Sequence, residues 1–405
     1  MVPYRHGEVV EEILVRTSPL RIAAPPRTTA RALAPDLARG AMLLAIAMAH
    51  APLFVENADH GSAVANDVAG FFHLLAVHNH ARPMFAFLFG YAMVQLLAAQ
   101  ARRGQEWVAI RKLQRRRGWW LVTIGFVHVA ALVPIDILAV YGLAAVLLAG
   151  LLKAKDSTLL WAAGIMFIPA TLTAGSGMWL AMSQGVSTYS QSSIAADGAG
   201  IAEALITRLQ GWPYVLVIGV VSVVPGVLLG MWAARRRVLD EPARNRSLLT
   251  RTAVITTALS VVGAFPAGLI QVGAWAQPPA AATWVAALAQ PLTGYLGGIG
   301  MAAIIGLIAI AADRRRNRLT TAVEALGQRS MSLYLFQSVA FLAVFHPYGL
   351  GLQDDLGLVG AMGVATATWL ISLLLADVMR RTGHRGPAEI LLRRLTYRQT
   401  AHPSA

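Results

Sequence analysis

The chain has 405 residues, of which 56% are hydrophobic and only 13% are charged, with a mean hydropathy of +0.57 and a formal net charge of +14. Soluble domains carry about a quarter charged residues, so this composition excludes an ordinary soluble protein and indicates an integral membrane protein. The absence of cysteine excludes disulfide bonds and thiolate metal sites.

Residues 1–35 are rich in proline and arginine and lack the apolar core of a signal peptide, which predicts a disordered cytoplasmic tail. A transmembrane helical domain is predicted over residues 36–381 and a cytoplasmic C-terminal segment over 382–405. Within the domain, apolar runs of about the length that crosses a bilayer lie at 37–55, 82–100, 118–133, 136–152, 158–181, 212–233, 252–272, 284–312, 331–346 and 357–379. The sequence therefore predicts an all-α polytopic membrane protein of about ten transmembrane helices. The outer segments 56–81 and 182–211 are predicted to be long loops, the second with a short helix.

The placement of the charges predicts the orientation. With the N-terminus in the cytoplasm, every lysine and arginine except Arg82 and Arg208 falls in a cytoplasmic segment, as the positive-inside rule requires. Both termini are then cytoplasmic, and the basic excess faces the anionic headgroups of the inner leaflet. This distribution argues against nucleic acid as a partner and favours membrane lipids, with the cell (plasma) membrane as the location.

Most of the histidines fall in the outer half of the predicted bundle. They are His50, His60, His73, His78, His80, His128 and His346. Because ionisable groups in a membrane domain are costly, their concentration at one face indicates a functional site there.

His128 and Asp136 flank the tight turn between the third and fourth predicted spans. A carboxylate beside an imidazole raises its basicity and fixes its tautomer, as a general base requires, so both residues are candidate catalytic groups. The alternative is structural, with Asp136 capping the next helix and His128 bonding to a neighbouring helix.

Arg82 is the third catalytic candidate, because it stands at an outer helix end, where it would pair with Asp136 or hold an anionic substrate. An interfacial arginine that reaches to headgroups is its structural alternative.

Polar residues inside or beside other spans are candidates for substrate binding. Tyr334, Gln337 and Ser338 share one side of the ninth span by their i, i+3, i+4 spacing, although hydrogen bonds between helices would also explain them. Asp36 and Arg39 open the first span, where a helix cap followed by a basic flank is the simpler explanation.

Two further patterns are expected to be structural. His73, His78 and His80 have no convincing fourth ligand in their loop, so no metal site is predicted. The glycine-rich stretch at 294–300 lies inside a span without a preceding strand, so it is expected to serve helix packing rather than phosphate binding.

Five ordered motifs resemble those of the YeiB-like family, whose domain is called domain of unknown function 418. They cover about residues 33–398 and consist of Asp36, Arg39 and Gly40; Arg82, Phe85, Leu88, Phe89 and Gly90; Gly125, His128, Asp136, Ile137, Leu138 and Tyr141; the segment from Met331 to Ser338; and Gly386, Pro387, Glu389, Arg393, Thr396 and Tyr397. The chain departs from the family at Gln328, where arginine is frequent, and at Leu333, where asparagine is frequent. The resemblance adds Tyr141 and strengthens Arg39 and Asp36 as site residues.

The YeiB-like family is similar to a wider group of transmembrane acyltransferases. This resemblance implies that acyl-CoA acts as a co-substrate from the cytoplasm, without a bound cofactor, and that a cell-envelope sugar or lipid is the acceptor. In that group the catalytic histidine lies in the first outer loop, where this chain has His60, His73, His78 and His80.

Three functions fit these observations. The first is acyl transfer across the membrane, with the His128, Asp136 and Arg82 cluster activating a hydroxyl or carrying the acyl group. The second is a transporter or lipid flippase in which His128 and Asp136 relay protons. The third is an envelope scaffold, which explains the apolar bulk but not the one-sided polar cluster. The oligomeric state stays open.

Overall fold

A computed structural model describes residues 32–186 and 201–397 of the chain. Every regular element in those residues is a helix. The α-helices are α1 (Leu33–His50), α2 (Ala63–Ala76), α3 (Ala81–Ala101), α4 (Trp107–Ala131), α5 (Leu138–Leu148), α6 (Asp156–Ser183), α7 (Ile201–Arg235), α8 (Arg246–Gln271), α9 (Ala280–Arg314), α10 (Arg318–Gln328), α11 (Ser330–Phe345), α12 (Leu358–Arg381) and α13 (Pro387–Thr396). Short 3₁₀ helices at Ala51–Phe54 and Ala149–Lys153 extend α1 and α5.

The length and composition of these helices are those of a membrane protein. Seven stretches of the described chain are long and apolar enough to cross a membrane, and two shorter apolar helices accompany them at Leu138–Lys153 and Ser330–Phe345. The predicted all-α polytopic membrane protein is thereby confirmed. The count of ten spans and the cytoplasmic termini stay predictions.

The helix α4 begins eleven residues before the predicted third span. Arginine, lysine and glutamine are good helix formers, so the basic segment from Arg111 to Arg117 continues the apolar helix instead of forming a linker. The predicted span 118–133 therefore covers the apolar part of α4, and the helix extends beyond it through the basic residues.

The outer segment 56–81, predicted to be a loop, contains α2. Ser62 caps this helix, because its hydroxyl accepts a hydrogen bond from the N–H of Ala65 at 3.4 Å. The helix packs against α8, where Phe71 lies on Gly268. Likewise α7 begins at Ile201, inside the predicted outer loop 182–211, whose residues 187–200 lie outside the described chain. The predicted tail also falls mostly outside it, on residues 1–31.

Several helix ends contact one another through their side chains at one end of the helical domain, which we name the basic end. There Arg235 at the end of α7 donates to the carbonyl of Ala154 at 2.6 Å and to Asp156 at 2.9 Å. Lys153 lies 5.0 Å from the centre of the Trp107 ring at the start of α4. The opposite set, which contains His50, Arg82 and His128, is the histidine end.

Close helix crossings in the interior depend on glycine. The largest buried cluster joins α1, α3, α5 and α7 through side chains that include Leu43, Leu88, Tyr141 and Val227. In α9 a Cβ at Gly297 or Gly298 would overlap His80, which sits in the break between α2 and α3. The glycine-rich stretch therefore packs against a neighbouring segment, as the sequence predicted.

One of the closest of these crossings joins α1 to α10. A Cβ at Gly327 would lie 1.9 Å from the carbonyl oxygen of Asp36, and one at Gly40 would lie 2.1 Å from that of Val323. Backbone atoms cannot yield as a flexible side chain does, so larger residues would separate these helices.

We expect Gly327→Ala to destabilise the protein by about 1–3 kcal/mol, because the added methyl group forces α10 away from α1. Gly164→Ala on α6 is the matched control, since a Cβ there meets no atom within 4 Å and alanine favours helix by roughly 0.5–1 kcal/mol. Thermal unfolding in detergent should show a lower Tm for the first variant only. Equal Tm values for the two variants would contradict the close crossing.

Candidate functional site

The turn between α4 and α5 lies at the histidine end. The helical stretch Leu138–Lys153 has 16 residues and rises about 24 Å, less than the roughly 30 Å of a hydrocarbon core. Polar groups at this turn therefore need protein or water partners. Arg208 from α7 supplies one by donating to the carbonyl of Leu132 at 3.1 Å.

His128 stands between a carboxylate and a hydroxyl. Its Nδ1 lies 3.3 Å from Oδ1 of Asp136, and its Nε2 lies 2.9 Å from Oγ of Ser338 on α11. The Nδ1 contact is not aligned as a hydrogen bond, which is common for catalytic pairs before substrate binds. All three residues are buried. The order carboxylate, imidazole, hydroxyl is that of a nucleophile activated by a base that a third group orients.

Asp136 serves two partners with its two oxygens. Its Oδ2 accepts a hydrogen bond from the backbone N–H of Ala139 at 2.5 Å, in the first turn of α5, while Oδ1 faces His128. The structural and the catalytic interpretations of Asp136 are thus compatible. Gly125 provides the space, because a Cβ there would lie 2.3 Å from Oδ2.

The inward face of α11 carries Tyr334, Gln337 and Ser338, all buried. The Tyr334 ring lies 5.4 Å from that of His128 and 6.2 Å from that of His50, measured between centroids. Gln337 donates to the carbonyl of Leu43 at 3.3 Å. Within the described residues, the Tyr334 hydroxyl donates to no acceptor and Oε1 of Gln337 accepts from no donor. Unpaired polar atoms at a buried position are rare and are expected where a ligand or water binds.

Arg82 is exposed at the second position of α3. The expected ion pair with Asp136 is absent from the described residues, because Asp136 is already occupied by α5 and His128. The guanidinium acts electrostatically on His50 and Tyr141. Tyr141 fixes the start of α3, because its hydroxyl donates to the carbonyl of Arg82 at 3.1 Å and its ring packs on Phe85.

The histidines of the first outer segment lie apart from His128. His73 lies in α2 and not in the predicted loop, His80 lies in the turn that follows this helix, and both residues are buried. His80 bonds to Oγ of Ser260 at 2.6 Å, and Gln290 of α9 donates to the carbonyl of His78 at 3.0 Å. The described residues contain no group of three or more His, Asp or Glu arranged to hold a metal ion.

Asp36 and Arg39 lie at the basic end. Asp36 is in the first turn of α1 rather than at its cap, and its carboxylate pairs with Arg39 at 2.8 Å and accepts from Gln328 at 3.4 Å. Arg39 and His50 are eleven residues apart on α1, which places them about 16 Å apart along the helix. The structure therefore does not bring Asp36 and Arg39 into the His128 cluster.

The contact of α13 with the helix that carries Ser338 was not predicted. Glu389 accepts hydrogen bonds from the backbone N–H groups of Met331 at 2.8 Å and Ser332 at 3.2 Å, and from the Ser332 hydroxyl. A carboxylate at a helix N-terminus stabilises it. Burial lowers the pKa of the adjacent Arg329, and the Glu389 carboxylate opposes that shift.

Residues 233–399 match the sequence model of the family described as "Protein of unknown function (DUF418)". The chain is 26% identical over 372 residues to "Uncharacterized protein YxaH" of Bacillus subtilis (strain 168), which covers 85% of each chain. It is 25% identical over 347 residues to "Uncharacterized protein YeiB" of Escherichia coli (strain K12), covering 78% of this chain and 81% of that protein. The predicted resemblance to the YeiB-like family is confirmed.

We expect Glu389→Ala to destabilise the protein by about 2 kcal/mol, because three donors at the start of α11 lose a charged acceptor. Asp377→Ala is the matched control, since it removes another carboxylate of the basic end that pairs with exposed arginines on its own helix. Thermal unfolding should show a clear loss of Tm for Glu389→Ala and none for Asp377→Ala. An unchanged Tm in both variants would show that the clamp on α11 is unimportant.

Proposed function

We propose that this YeiB-like protein, with its DUF418 match over residues 233–399, transfers an acyl group from cytoplasmic acyl-CoA to a hydroxyl of an extracytoplasmic sugar or lipid. The observation that carries the proposal is the buried series Asp136, His128 and Ser338, with 3.3 Å and 2.9 Å between the facing atoms. A base bonded to a hydroxyl at one atom and oriented by a carboxylate at the other is built for acyl transfer.

In the first step, Oγ of Ser338 attacks the thioester carbon while its proton passes to Nε2 of His128. The carbon–sulfur bond then breaks, and the leaving thiolate takes the proton from the imidazolium. The products are an ester on Ser338 and free CoA. Asp136 stabilises the imidazolium that forms between these events, which is why a buried carboxylate beside Nδ1 favours the reaction.

In the second step, the acceptor hydroxyl gives its proton to Nε2 of His128 and attacks the ester carbon. The bond from that carbon to Oγ breaks, and Oγ recovers the proton. The structure favours this covalent route over direct activation of the acceptor, because Ser338 already occupies the Nε2 position that an acceptor would need.

Three neighbouring groups are assigned supporting roles. The unpaired Tyr334 hydroxyl is a donor for the oxygen that becomes negative during attack. The unpaired Oε1 of Gln337 is an acceptor for a substrate hydroxyl. Arg82, exposed at the same end, would hold an anionic group of the acceptor.

Transport is the second candidate function, and the break between α2 and α3 favours it. The non-helical residues 77–80 contain Asn79 in the left-handed region with φ 58 and the buried His80. Transporters place interrupted helices at their substrate sites. Proton-coupled uptake by purified protein in vesicles without acyl-CoA would support this candidate.

The apolar helices and the bacterial relatives support a membrane location. We assign the protein to the plasma membrane, where membrane lipids surround it. In this assignment the donor reaches it from the cytoplasm and the acceptor from the cell envelope.

We expect His128→Ala and Ser338→Ala to lower single-turnover release of CoA by at least about a hundredfold, because positioned proton transfer contributes about 10²–10⁴ in rate. The assay presents acetyl-CoA and longer acyl-CoAs to protein in nanodiscs and measures free thiol. Thermal unfolding of each variant shows whether the fold is kept.

The matched control is Ser372→Ala. Ser372 is as buried as Ser338, but its hydroxyl donates only to the carbonyl of Thr368 on its own helix. This variant should release CoA like the wild type. Wild-type rates in His128→Ala and Ser338→Ala would refute the site assignment.

A further inference from the structure

A cavity of about 530 Å³ opens at the basic end, away from the His128 cluster. The end of α3, the turn after it, the start of α4 and Tyr397 after α13 line it. Its polar lining consists of Gln100, Arg103, Gln105, Lys112, Arg116 and Tyr397. Of these residues, only Tyr397 belongs to the motifs that the sequence singled out.

The cavity is positive, and the described residues that line it include no carboxylate. Arg103, Lys112 and Arg116 line it, and within the described residues none of their side chains makes an ion pair or a hydrogen bond with another residue. Lys112 and Arg116 are four residues apart on α4, where like charges repel each other. A fourth cation, Arg117, lies within electrostatic range of Tyr397. The arrangement therefore attracts an anion.

Two neutral groups of the cavity bond to each other. Gln100 is buried, and its Nε2 donates to the hydroxyl of Tyr397 at 3.0 Å. The Tyr397 hydroxyl accepts this bond and keeps its own proton for a ligand. Because Glu389 ties α13 to the start of α11, Tyr397 is held where it closes one side of the cavity.

We propose that this cavity binds a phosphate group carried by a larger molecule. Arginine and lysine side chains with neutral donors and no acid are the groups that bind phosphate. A volume of 530 Å³ lies in the range of small-molecule sites, roughly 300–1,000 Å³, so it exceeds the needs of inorganic phosphate. Two sources have this chemistry, the headgroup of an anionic lipid and the phosphates of CoA.

The position of the cavity favours CoA, a step that rests on the proposed function. Arg116 and His128 are twelve residues apart on α4, which is about 18 Å along the helix. The arm between the phosphates and the thioester of CoA is about as long as four extended peptide residues, roughly 15 Å. Phosphates held in the cavity would thus place the thioester near the depth of Ser338.

The experiment measures binding of CoA, which needs no turnover, to the full-length protein in nanodiscs of neutral phosphatidylcholine by isothermal titration. A second arm replaces part of the lipid with phosphatidylglycerol and counts retained anionic lipid by native mass spectrometry. The test variant is the double substitution Lys112→Gln/Arg116→Gln. We expect it to weaken binding of the phosphate-bearing probe by at least about tenfold, and Lys112→Arg/Arg116→Lys to restore binding.

The matched control is Arg111→Gln/Arg115→Gln, which removes two exposed cations at the same spacing on α4 that do not line the cavity. This variant should change binding by less than about threefold. Saturable binding of CoA identifies the donor site, and retention of phosphatidylglycerol without CoA binding identifies a lipid site. Equal losses in both double variants, or no binding of either probe, would overturn the proposal.

Different results would refute the cavity assignment and the proposed acyl transfer. Ser338→Ala should bind CoA like the wild type. If the cavity variants lose binding while no protein transfers acyl groups, the cavity stands and the proposed reaction falls. If acyl transfer persists unchanged in Lys112→Gln/Arg116→Gln and CoA binding is also unchanged, the cavity assignment falls and the reaction stands.

Discussion

A carboxylate buried in an apolar bundle is costly unless other groups stabilise it, and at the histidine end Asp136 has a hydrogen bond on one oxygen and a charge contact on the other. One oxygen accepts a hydrogen bond from a backbone N–H in the first turn of α5, and the other faces His128. The second short helix of the bundle, α11, also has a carboxylate at its N-terminus, because Glu389 accepts hydrogen bonds from the N–H groups of the first turn of α11. These two anchors fix α5 and α11 relative to α4, and the contact between His128 and Ser338 depends on both.

The sequence predicted the parts of this arrangement that are local in the chain. His128 and Asp136 are eight residues apart, and a tight turn between two spans brings them together. Ser338 was recognised as polar on a helix face, but its partnership with His128 joins residues 210 positions apart, and no pattern in the chain encodes that pairing. The ion pair of Arg82 with Asp136, one of two roles expected for Arg82, is absent from the described residues, where Asp136 bonds to the first turn of α5 and faces His128.

Helix boundaries were least predictable where the composition is mixed. The segment that forms α2 carries Asn66, Asp67 and His73 among apolar residues, and the start of α4 is strongly basic, so neither is an uninterrupted apolar run. The cavity at the basic end escaped prediction for another reason. Its walls come from Gln100, from α4 and from Tyr397 near the opposite end of the chain, and only the fold brings them together. The helix α4 joins both sites, since it carries Arg116 at one end and His128 at the other.

The measurement that tests the central claim most directly is peptide mapping of the protein after brief exposure to acyl-CoA. Protein in nanodiscs is mixed with acetyl-CoA or a longer acyl-CoA, quenched in acid, digested and examined by mass spectrometry. The account predicts an acyl ester on Ser338 in the wild type, less in His128→Ala and none at that position in Ser338→Ala. Release of CoA with the acyl group on another residue, or no acylation with any donor, would contradict it.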